Sequence, residues 1–328
     1  MEKQARFEAF LRIRRNAHPR EPAPVPTAAG LLASRAAVRE AMTAIGRRSF
    51  SARSGSPIFY TTVMEVLYGL HPVEEALRAG RRRFDQVLVA RDRHDARLES
   101  IVSACRKSGV RVAGQTREQL TAVARNTGHQ GVVALVRPQE FLSLEDLFAA
   151  DPSRPAAARL VLALDGVEDP QNLGALLRVA DGAGADGVLL TERRSAPLSP
   201  AALKASAGAA EHLRIARVVN LVRALEELKE QNLWIVGLDE RGSVAYDEFD
   251  LTGNLVLVLG REGAGLHDLV RRTCDRLLRI PMAGAVSSLN VSTAAAAVLY
   301  EAARQRRAAA RPVVSKAPEP RRQKGLGS

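Results

Sequence analysis

Apolar positions recur along residues 64–138 with the spacing of short, alternating helices and strands. The pattern predicts helices at residues 72–79, 96–107 and 116–124, and strands at residues 84–90, 110–113 and 131–137. Thr116 and Gln119 have the spacing of a capping box, which marks the start of the third helix. This part of the chain is therefore expected to form a small α/β domain.

A second and longer alternation covers residues 158–304, after a predicted linker at residues 139–157. Its apolar runs predict six strands, at residues 160–164, 187–190, 212–218, 233–238, 255–259 and 276–280. Four helices are predicted, at residues 173–183, 221–231, 266–274 and 291–305. Strands that are apolar at every position favour a mostly parallel sheet covered on both faces. The expected fold class is α/β.

The net charge of +12 comes from the two ends of the chain. Residues 1–63 hold 11 Lys or Arg and 4 Asp or Glu, residues 304–328 hold 8 and 1, and the part between is close to neutral. Both ends, residues 1–63 and 305–328, are predicted to be disordered basic extensions. Such tails attract phosphate without sequence preference, and a solvated tail with no partner fits equally well. Specific recognition of nucleic acid must then come from local patches.

The chain has two cysteines and no apolar run of the length that spans a bilayer. Two cysteines exclude a disulfide framework and a Cys-rich zinc site, so we expect a reducing, cytoplasmic compartment, no membrane and no metal. An Arg-rich start is also typical of organellar transit peptides, which makes an organelle the alternative location. Met64, where the apolar pattern begins, is an alternative start of the protein.

The segment Gly182-Ala-Gly184-Ala-Asp-Gly187 has the glycine spacing of a dinucleotide-binding fingerprint. That fingerprint needs a strand before it and a helix after it, so that the phosphate meets the start of the helix. Here the predicted order is reversed. The glycines therefore indicate a helix end and a tight turn.

Three loops carry the candidate chemistry, and each lies between a predicted strand and a predicted helix. They are residues 165–174, 259–266 and 280–294. Their notable polar side chains are Asn172 in the first loop with Arg178 soon after it, Glu262 in the second, and Ser288 and Asn290 in the third. Each side chain alone is explained by helix capping or by solvent exposure. Three such loops at the carboxyl ends of strands, where open α/β sheets bind ligands, favour a functional site.

Together the loops resemble the three signature motifs of the SpoU (TrmH-like) ribose 2′-O-methyltransferases of the SPOUT class. The matching positions are Asn172 and Arg178, then Gly260 and Glu262, then Pro281, Met282, Ser288, Asn290 and Ser292. The resemblance covers about 145 residues, from 158 to 304. Residues 68–73 and 129–134 more weakly resemble the start and end of the L30e-like RNA-binding domain of that family.

The resemblance implies an L30e-like domain at residues 64–138 and a methyltransferase domain with a trefoil knot at residues 158–304. It implies S-adenosylmethionine as the cofactor, and a homodimer for which the helix at residues 291–305 is the candidate surface. The cofactor-binding residues it implies are Gly260, Ile280, Met282, Ser288 and Leu289. The catalytic residues it implies are Asn172, Arg178, Glu262, Ser288 and Asn290.

The implied substrate is structured RNA. The two-domain layout is most similar to that of family members that methylate a guanosine ribose in 23S ribosomal RNA. A transfer RNA ribose methyltransferase and a noncatalytic RNA-binding or ribosome-assembly protein are the alternatives. A basic patch in the small domain is the candidate phosphate contact, with a solvated charged face as the alternative; its residues are Arg81, Arg82, Arg83 and Arg91.

The role of Arg178 has two interpretations. The resemblance nominates it as the base that removes the proton of the 2′-hydroxyl, although arginine normally keeps its own proton. The other interpretation makes Arg178 a clamp on an RNA phosphate that also stabilises negative charge on the oxygen. In that interpretation the other four catalytic residues orient Arg178 and the ribose.

Overall fold

A computed structural model of the chain describes residues 64–149, 158–285 and 288–310. Most of the two predicted basic extensions, and the end of the predicted linker, lie outside the described residues. The last predicted helix continues four residues beyond position 305, to Ala309, so the extension begins later than the sequence pattern indicated.

The first α/β unit is a four-stranded sheet with three helices. Its strands are β1 (Glu65–Tyr68), β2 (Phe84–Ala90), β3 (Arg111–Gln115) and β4 (Val132–Val136), and its helices are α1 (Leu70–Ala79), α2 (Ala96–Lys107) and α3 (Arg117–Ala124). Strands β1 and β2 pair antiparallel with β4, and β3 pairs parallel with β2. The predicted capping box of Thr116 and Gln119 is confirmed at the start of α3.

The second unit is a seven-stranded sheet. Its strands are β5 (Leu160–Leu164), β6 (Gly187–Thr191), β7 (Ile215–Val218), β8 (Trp234–Leu238), β9 (Val244–Ala245), β10 (Leu255–Leu259) and β11 (Arg276–Arg279). Its helices are α4 (Leu144–Phe148), α5 (Pro170–Gly182), α6 (Pro200–Ala205), α7 (Leu221–Glu230), α8 (Asp268–Thr273) and α9 (Val291–Ala309). The strand order is β7-β6-β5-β10-β8-β11-β9, and every pairing is parallel, as predicted.

Both faces of this sheet are buried because each central strand sends alternate side chains to opposite sides. In β10, Leu257 packs into the core that contains the apolar residues of α5 and α9. Val256 and Val258 pack into a second core, which contains the apolar residues of α7 and Val270 of α8. A strand buried on both faces must be apolar at every position, which is why the sequence pattern identified these strands.

Four short strands and helices were not predicted, and another strand begins later than expected. β1 and β9 have only four and two residues, α4, inside the predicted linker, has five, and α6 has six, so none carries enough periodic positions to stand out. β7 begins at Ile215, three residues after the predicted start, because the 3₁₀ turn Ala209–Glu211 is followed by irregular backbone at residues 212–214.

Within the described part of the chain, no helix has both the length and the apolar character needed to span a membrane. The same residues contain no group of three or more His, Cys, Asp or Glu side chains placed to hold a metal ion. The trefoil knot and the L30e likeness of the small unit stay predictions.

Candidate active site at the carboxyl ends of the parallel strands

The three predicted loops meet through a chain of side-chain hydrogen bonds. Nδ2 of Asn172 donates to Oε2 of Glu262 at 2.9 Å, and Nδ2 of Asn290 donates to Oδ1 of Asn172 at 2.9 Å. Nδ2 of Asn290 also lies 3.5 Å from Oε1 of Glu262. These residues are 28 to 118 positions apart in the sequence. The strand ends therefore gather one polar cluster, the active-site triad Asn172, Glu262 and Asn290.

Helix capping fixes how the amides of this triad point. Asn290 caps α9: its Oδ1 accepts hydrogen bonds from the backbone N–H of Ser292 at 2.9 Å and from the Ser292 hydroxyl at 2.6 Å. With Oδ1 so occupied, Nδ2 faces Asn172 and Glu262. Asn172 does not cap α5, because Asp169 does so by accepting from Gln171 N–H. The capping explanation therefore holds for Asn290, which also serves the triad, and fails for Asn172.

Two backbone hydrogen bonds between Arg261 and Gly265 close the second loop, which carries Glu262. The backbone N–H of Arg261 donates to the carbonyl of Gly265 at 3.1 Å, and that of Gly265 donates to the carbonyl of Arg261 at 3.0 Å. Gly260 lies directly against this closure. A β-carbon on Gly260 would be 2.2 Å from the Gly265 carbonyl carbon and 2.3 Å from its oxygen. Only glycine fits there.

A buried carboxylate ties the first loop to the second. Asp165 accepts hydrogen bonds from the backbone N–H of His267 at 2.7 Å and from its ring Nδ1 at 2.8 Å. Gly166, at φ +77°, follows directly, and a β-carbon there would be 2.9 Å from Cγ of Arg261 and 3.2 Å from Cε1 of His267. The sequence motifs contain no histidine, yet one lies just after the second motif and anchors both loops.

The five residues predicted to bind a cofactor line one cavity, namely Gly260, Ile280, Met282, Ser288 and Leu289. Glu262 lies at the same cavity, so the triad borders it. Leu238 and Leu259 add apolar wall, and glycines of the second loop add exposed backbone. The cavity thus offers apolar surface, backbone groups and a polar edge to one ligand.

Four charged residues of this cavity were missed by sequence reasoning, namely Asp239, Glu240, Arg241 and Arg261. Asp239, at the end of β8, is buried, and its Oδ1 accepts a hydrogen bond from the backbone N–H of Arg241 at 2.9 Å. Arg261 lies between the first and second loops and also lines the cavity. For Asp239 and Arg261, the only sequence signal was the position of a charged residue at the end of an apolar strand. Asp239 directly follows β8, and Arg261 comes two positions after β10.

Arg178 does not share this cavity. It is exposed on α5 and lines a different cleft, together with His71, Glu75 and His212. Within the described residues, no hydrogen bond joins Arg178 to the triad. The expectation that the triad orients Arg178 therefore has no counterpart in the contacts of this chain.

One residue of the predicted RNA-binding patch, Arg82, is buried and therefore not available to RNA. Arg82 is buried at the junction of the two sheets, where its Nε donates to Oε2 of Glu211 at 2.9 Å. The prediction that Arg82 contacts RNA is wrong, because its guanidinium also contacts Glu65 and a backbone carbonyl. The other three members are exposed, namely Arg81, Arg83 and Arg91.

Comparison with known proteins gives matches to two families. The family described as "SpoU rRNA Methylase family" matches residues 159–300, and the one described as "RNA 2'-O ribose methyltransferase substrate binding" matches residues 66–142. The chain is 44% identical over 244 residues to the 23S rRNA (guanosine-2'-O-)-methyltransferase RlmB of Vibrio vulnificus (strain CMCP6), covering 74% of this chain and 97% of that protein. It is 41% identical to RlmB of Escherichia coli (strain K12), and the match covers 74% of this chain and 99% of that protein.

A solved structure agrees with these matches. The SpoU methyltransferase AviRb from Streptomyces viridochromogenes, in complex with the cofactor AdoMet, superposes with a TM-score of 0.63 and 28% identity. The superposition covers 74% of this chain and 90% of AviRb.

Proposed function

Because the chain belongs to the SpoU family of RNA methylases, we propose that its cavity serves the transfer of a methyl group from S-adenosylmethionine to a ribose 2′-hydroxyl. The substrate is structured RNA, and specifically a guanosine of 23S ribosomal RNA. The observation that carries the proposal is the triad: three separate strand ends bring Asn172, Glu262 and Asn290 into hydrogen-bond contact at the edge of one cavity.

The cavity fits S-adenosylmethionine. Apolar side chains such as Ile280 and Leu289 suit the adenine ring, and the exposed backbone beside Gly260 can pair with its nitrogen edge. Gly260 has no side chain to obstruct that approach. Met282 and Ser288 complete the residues that would hold the cofactor. When bound, the cofactor supplies a methyl group activated by a positive sulfonium.

The triad orients the ribose. The hydrogen bonds run from Ser292 through Asn290 and Asn172 to Glu262, so each amide has a defined direction before substrate binds. Glu262 receives these bonds and, being exposed, can also accept one from the 2′-hydroxyl. A hydroxyl held this way would present its oxygen to the methyl group, and the Glu262 carboxylate would take up the hydroxyl proton as the methyl group passes from sulfur to oxygen. Fixing such a geometry in advance contributes several kcal/mol to catalysis.

Arg178 and the small unit would grip the RNA away from the reacting atoms. Arg178, Arg81, Arg83 and Arg91 are exposed, so their guanidinium groups can meet phosphates without first breaking a buried contact. This location supports the clamp interpretation of Arg178 over the base interpretation, because the described residues place it in another cleft.

The proposed homodimer must use a part of α9 that this chain's own core leaves exposed. Ala295 and Ala302 of that helix pack into this chain's own core together with apolar residues of α5. Tyr300 of the same helix is half exposed. Sedimentation analysis of Tyr300→Arg tests this surface: a shift towards monomer is expected, and an unchanged dimer would exclude it.

The function is tested with purified protein, tritiated S-adenosylmethionine and unmodified transcripts of 23S rRNA and of transfer RNA. We expect label in 23S rRNA at one guanosine, resistant to alkaline cleavage at its 3′ side. Glu227→Gln, which alters an exposed ion pair on α7, provides a control variant that should keep this activity. Label in transfer RNA alone would overturn the substrate, and binding of both ligands with no transfer would overturn the enzyme assignment.

A further inference from the structure

Arg261 lies at the boundary between the first and second loops. Its Cγ and Cδ lie 2.9 and 3.1 Å from where a β-carbon on Gly166 would be, so its stem packs on the first loop. Its backbone is fixed by the two hydrogen bonds to Gly265. The next residue, Glu262, is part of the triad. The side chain of Arg261 is thus held next to the place where the ribose would bind.

The guanidinium of Arg261 has no partner in the described protein. Its Nε is buried and donates to no hydrogen-bond acceptor among the described residues. Arg82, by contrast, is paired with Glu211. A buried donor left unpaired is costly, and such a group calls for a partner such as a water, an ion or a ligand. Since Arg261 also lines the cavity, that ligand would enter there.

An RNA phosphate is the ligand that this position favours. The planar guanidinium matches two phosphate oxygens, and the phosphate 3′ to the target nucleotide is bonded to the oxygen next to the 2′-hydroxyl. Along the sheet, β5 neighbours β10, and Arg261 faces the loop after β5. The cofactor-lining residues Ile280 and Leu289 follow β11, beyond β8. Arg261 therefore lies on the side of the cavity next to the first loop, which carries Asn172.

We propose that Arg261 binds the phosphodiester adjacent to the target ribose and so positions the 2′-hydroxyl against the triad. This inference rests on the proposed function. It adds a substrate-binding residue in the cavity itself, which neither Arg178 nor the exposed arginines of the small unit line.

The test compares wild type with Arg261→Gln, Arg261→Lys and the control Arg223→Ala, which removes one exposed charge from α7. Two affinities are measured for each: that for S-adenosylhomocysteine by calorimetry, and that for the shortest 23S rRNA transcript that wild type methylates, across a salt series. We expect Arg261→Gln to weaken RNA binding about tenfold. We also expect it to reduce the slope of log affinity against log salt by about 0.7 to 0.9. S-adenosylhomocysteine affinity should stay within about twofold, and Arg261→Lys should recover part of the RNA affinity.

Three results would overturn the proposal. One is a loss of S-adenosylhomocysteine affinity with an unchanged salt slope, which would assign Arg261 to the cofactor's carboxylate. The second is no change in either affinity, and the third is an equal loss in Arg223→Ala. Failure of the proposed function looks different, because wild type itself would then bind no S-adenosylhomocysteine or methylate no RNA.

Discussion

The junction around Arg82 and the active-site triad are both built from polar side chains that lie far apart in the sequence, and they use those side chains in opposite ways. At the junction, the side chains of Arg82 and Glu211 are only 4% and 3% exposed, and 129 positions separate them. Glu65, Gln139 and the carbonyl of Arg137 accept the remaining hydrogen bonds of Arg82. All three nitrogens of the Arg82 guanidinium donate hydrogen bonds within the protein, so none is free to bind a ligand.

The triad leaves its carboxylate within reach of a ligand. Glu262 and Asn290 are exposed, and the hydrogen bonds of the triad fix directions without enclosing the group that they serve. Burial pushes the pKa of Arg82 down, but its hydrogen bonds and charge interactions with Glu211 and Glu65 outweigh this and raise that pKa overall. The comparison teaches that saturation of hydrogen bonds, more than residue type, separates a structural cluster from a functional one.

The largest effect is expected from a substitution that displaces the second loop at the cavity and leaves the junction around Arg82 unchanged. Gly260→Ala would place a methyl group within 2.3 Å of the Gly265 carbonyl, and the second loop would have to move. We expect S-adenosylhomocysteine affinity to fall at least about a hundredfold, since a misplaced loop loses the contacts of the whole cavity. Calorimetry measures this.

Gly253→Ala is the matched control, because a β-carbon there meets nothing within 4 Å. It should bind S-adenosylhomocysteine like wild type. Equal affinities in Gly260→Ala and Gly253→Ala would contradict the assignment of this cavity to the cofactor.

The junction should respond in stability and leave cofactor binding unchanged. Glu211→Gln removes one charge of a buried ion pair, and we expect the free energy of unfolding to fall by about 3 kcal/mol. Glu227→Gln breaks an exposed pair and should cost less than about 1 kcal/mol. Urea denaturation of the two variants gives both values. A smaller loss for Glu211→Gln than for Glu227→Gln would mean that the junction is not a stabilising cluster.

A smaller, pH-dependent effect is expected at His129, which is 3% exposed. Its Nδ1 accepts a hydrogen bond from the N–H of Gly131 at 3.0 Å, and Thr121 Oγ1 lies 3.1 Å from Nε2. Burial, with a lesser contribution from the charges of Arg117 and Lys204, lowers the pKa of His129. Below about pH 6.5 the unfolded imidazole takes up a proton that the folded one refuses, so stability falls as the pH falls through the folded pKa.

The slope from this residue is at most about 1.4 kcal/mol per pH unit. Urea denaturation between pH 5 and 7 should show a weaker pH dependence for His129→Gln than for wild type. His94→Gln changes an exposed histidine and should keep the wild-type dependence. An identical slope in His129→Gln and wild type would contradict the role of burial.

The parallel sheet could be predicted because its central strands are apolar on both faces, as in β10. The first two loops could be predicted because each follows such a strand, whereas β11, before the third loop, begins and ends with an exposed arginine. The structural role of Arg82 could not be predicted from the sequence. Arg81, Arg82 and Arg83 look alike there, and only the pairing of Arg82 with the distant Glu211 separates it from the other two. Arg261 was missed for the same reason: whether an arginine is paired depends on tertiary contacts.

Glu262 tests the central claim most directly, through the single-turnover rate of 23S rRNA methylation at saturating S-adenosylmethionine. Glu262→Gln keeps the size of the side chain and removes the charge that receives the hydrogen bonds of Asn172 and Asn290. The account predicts a rate at least about a hundredfold lower than wild type. It also predicts S-adenosylhomocysteine affinity within about threefold and an unfolding free energy within about 1 kcal/mol of wild type, because the residue is exposed. A wild-type methylation rate in Glu262→Gln would contradict it.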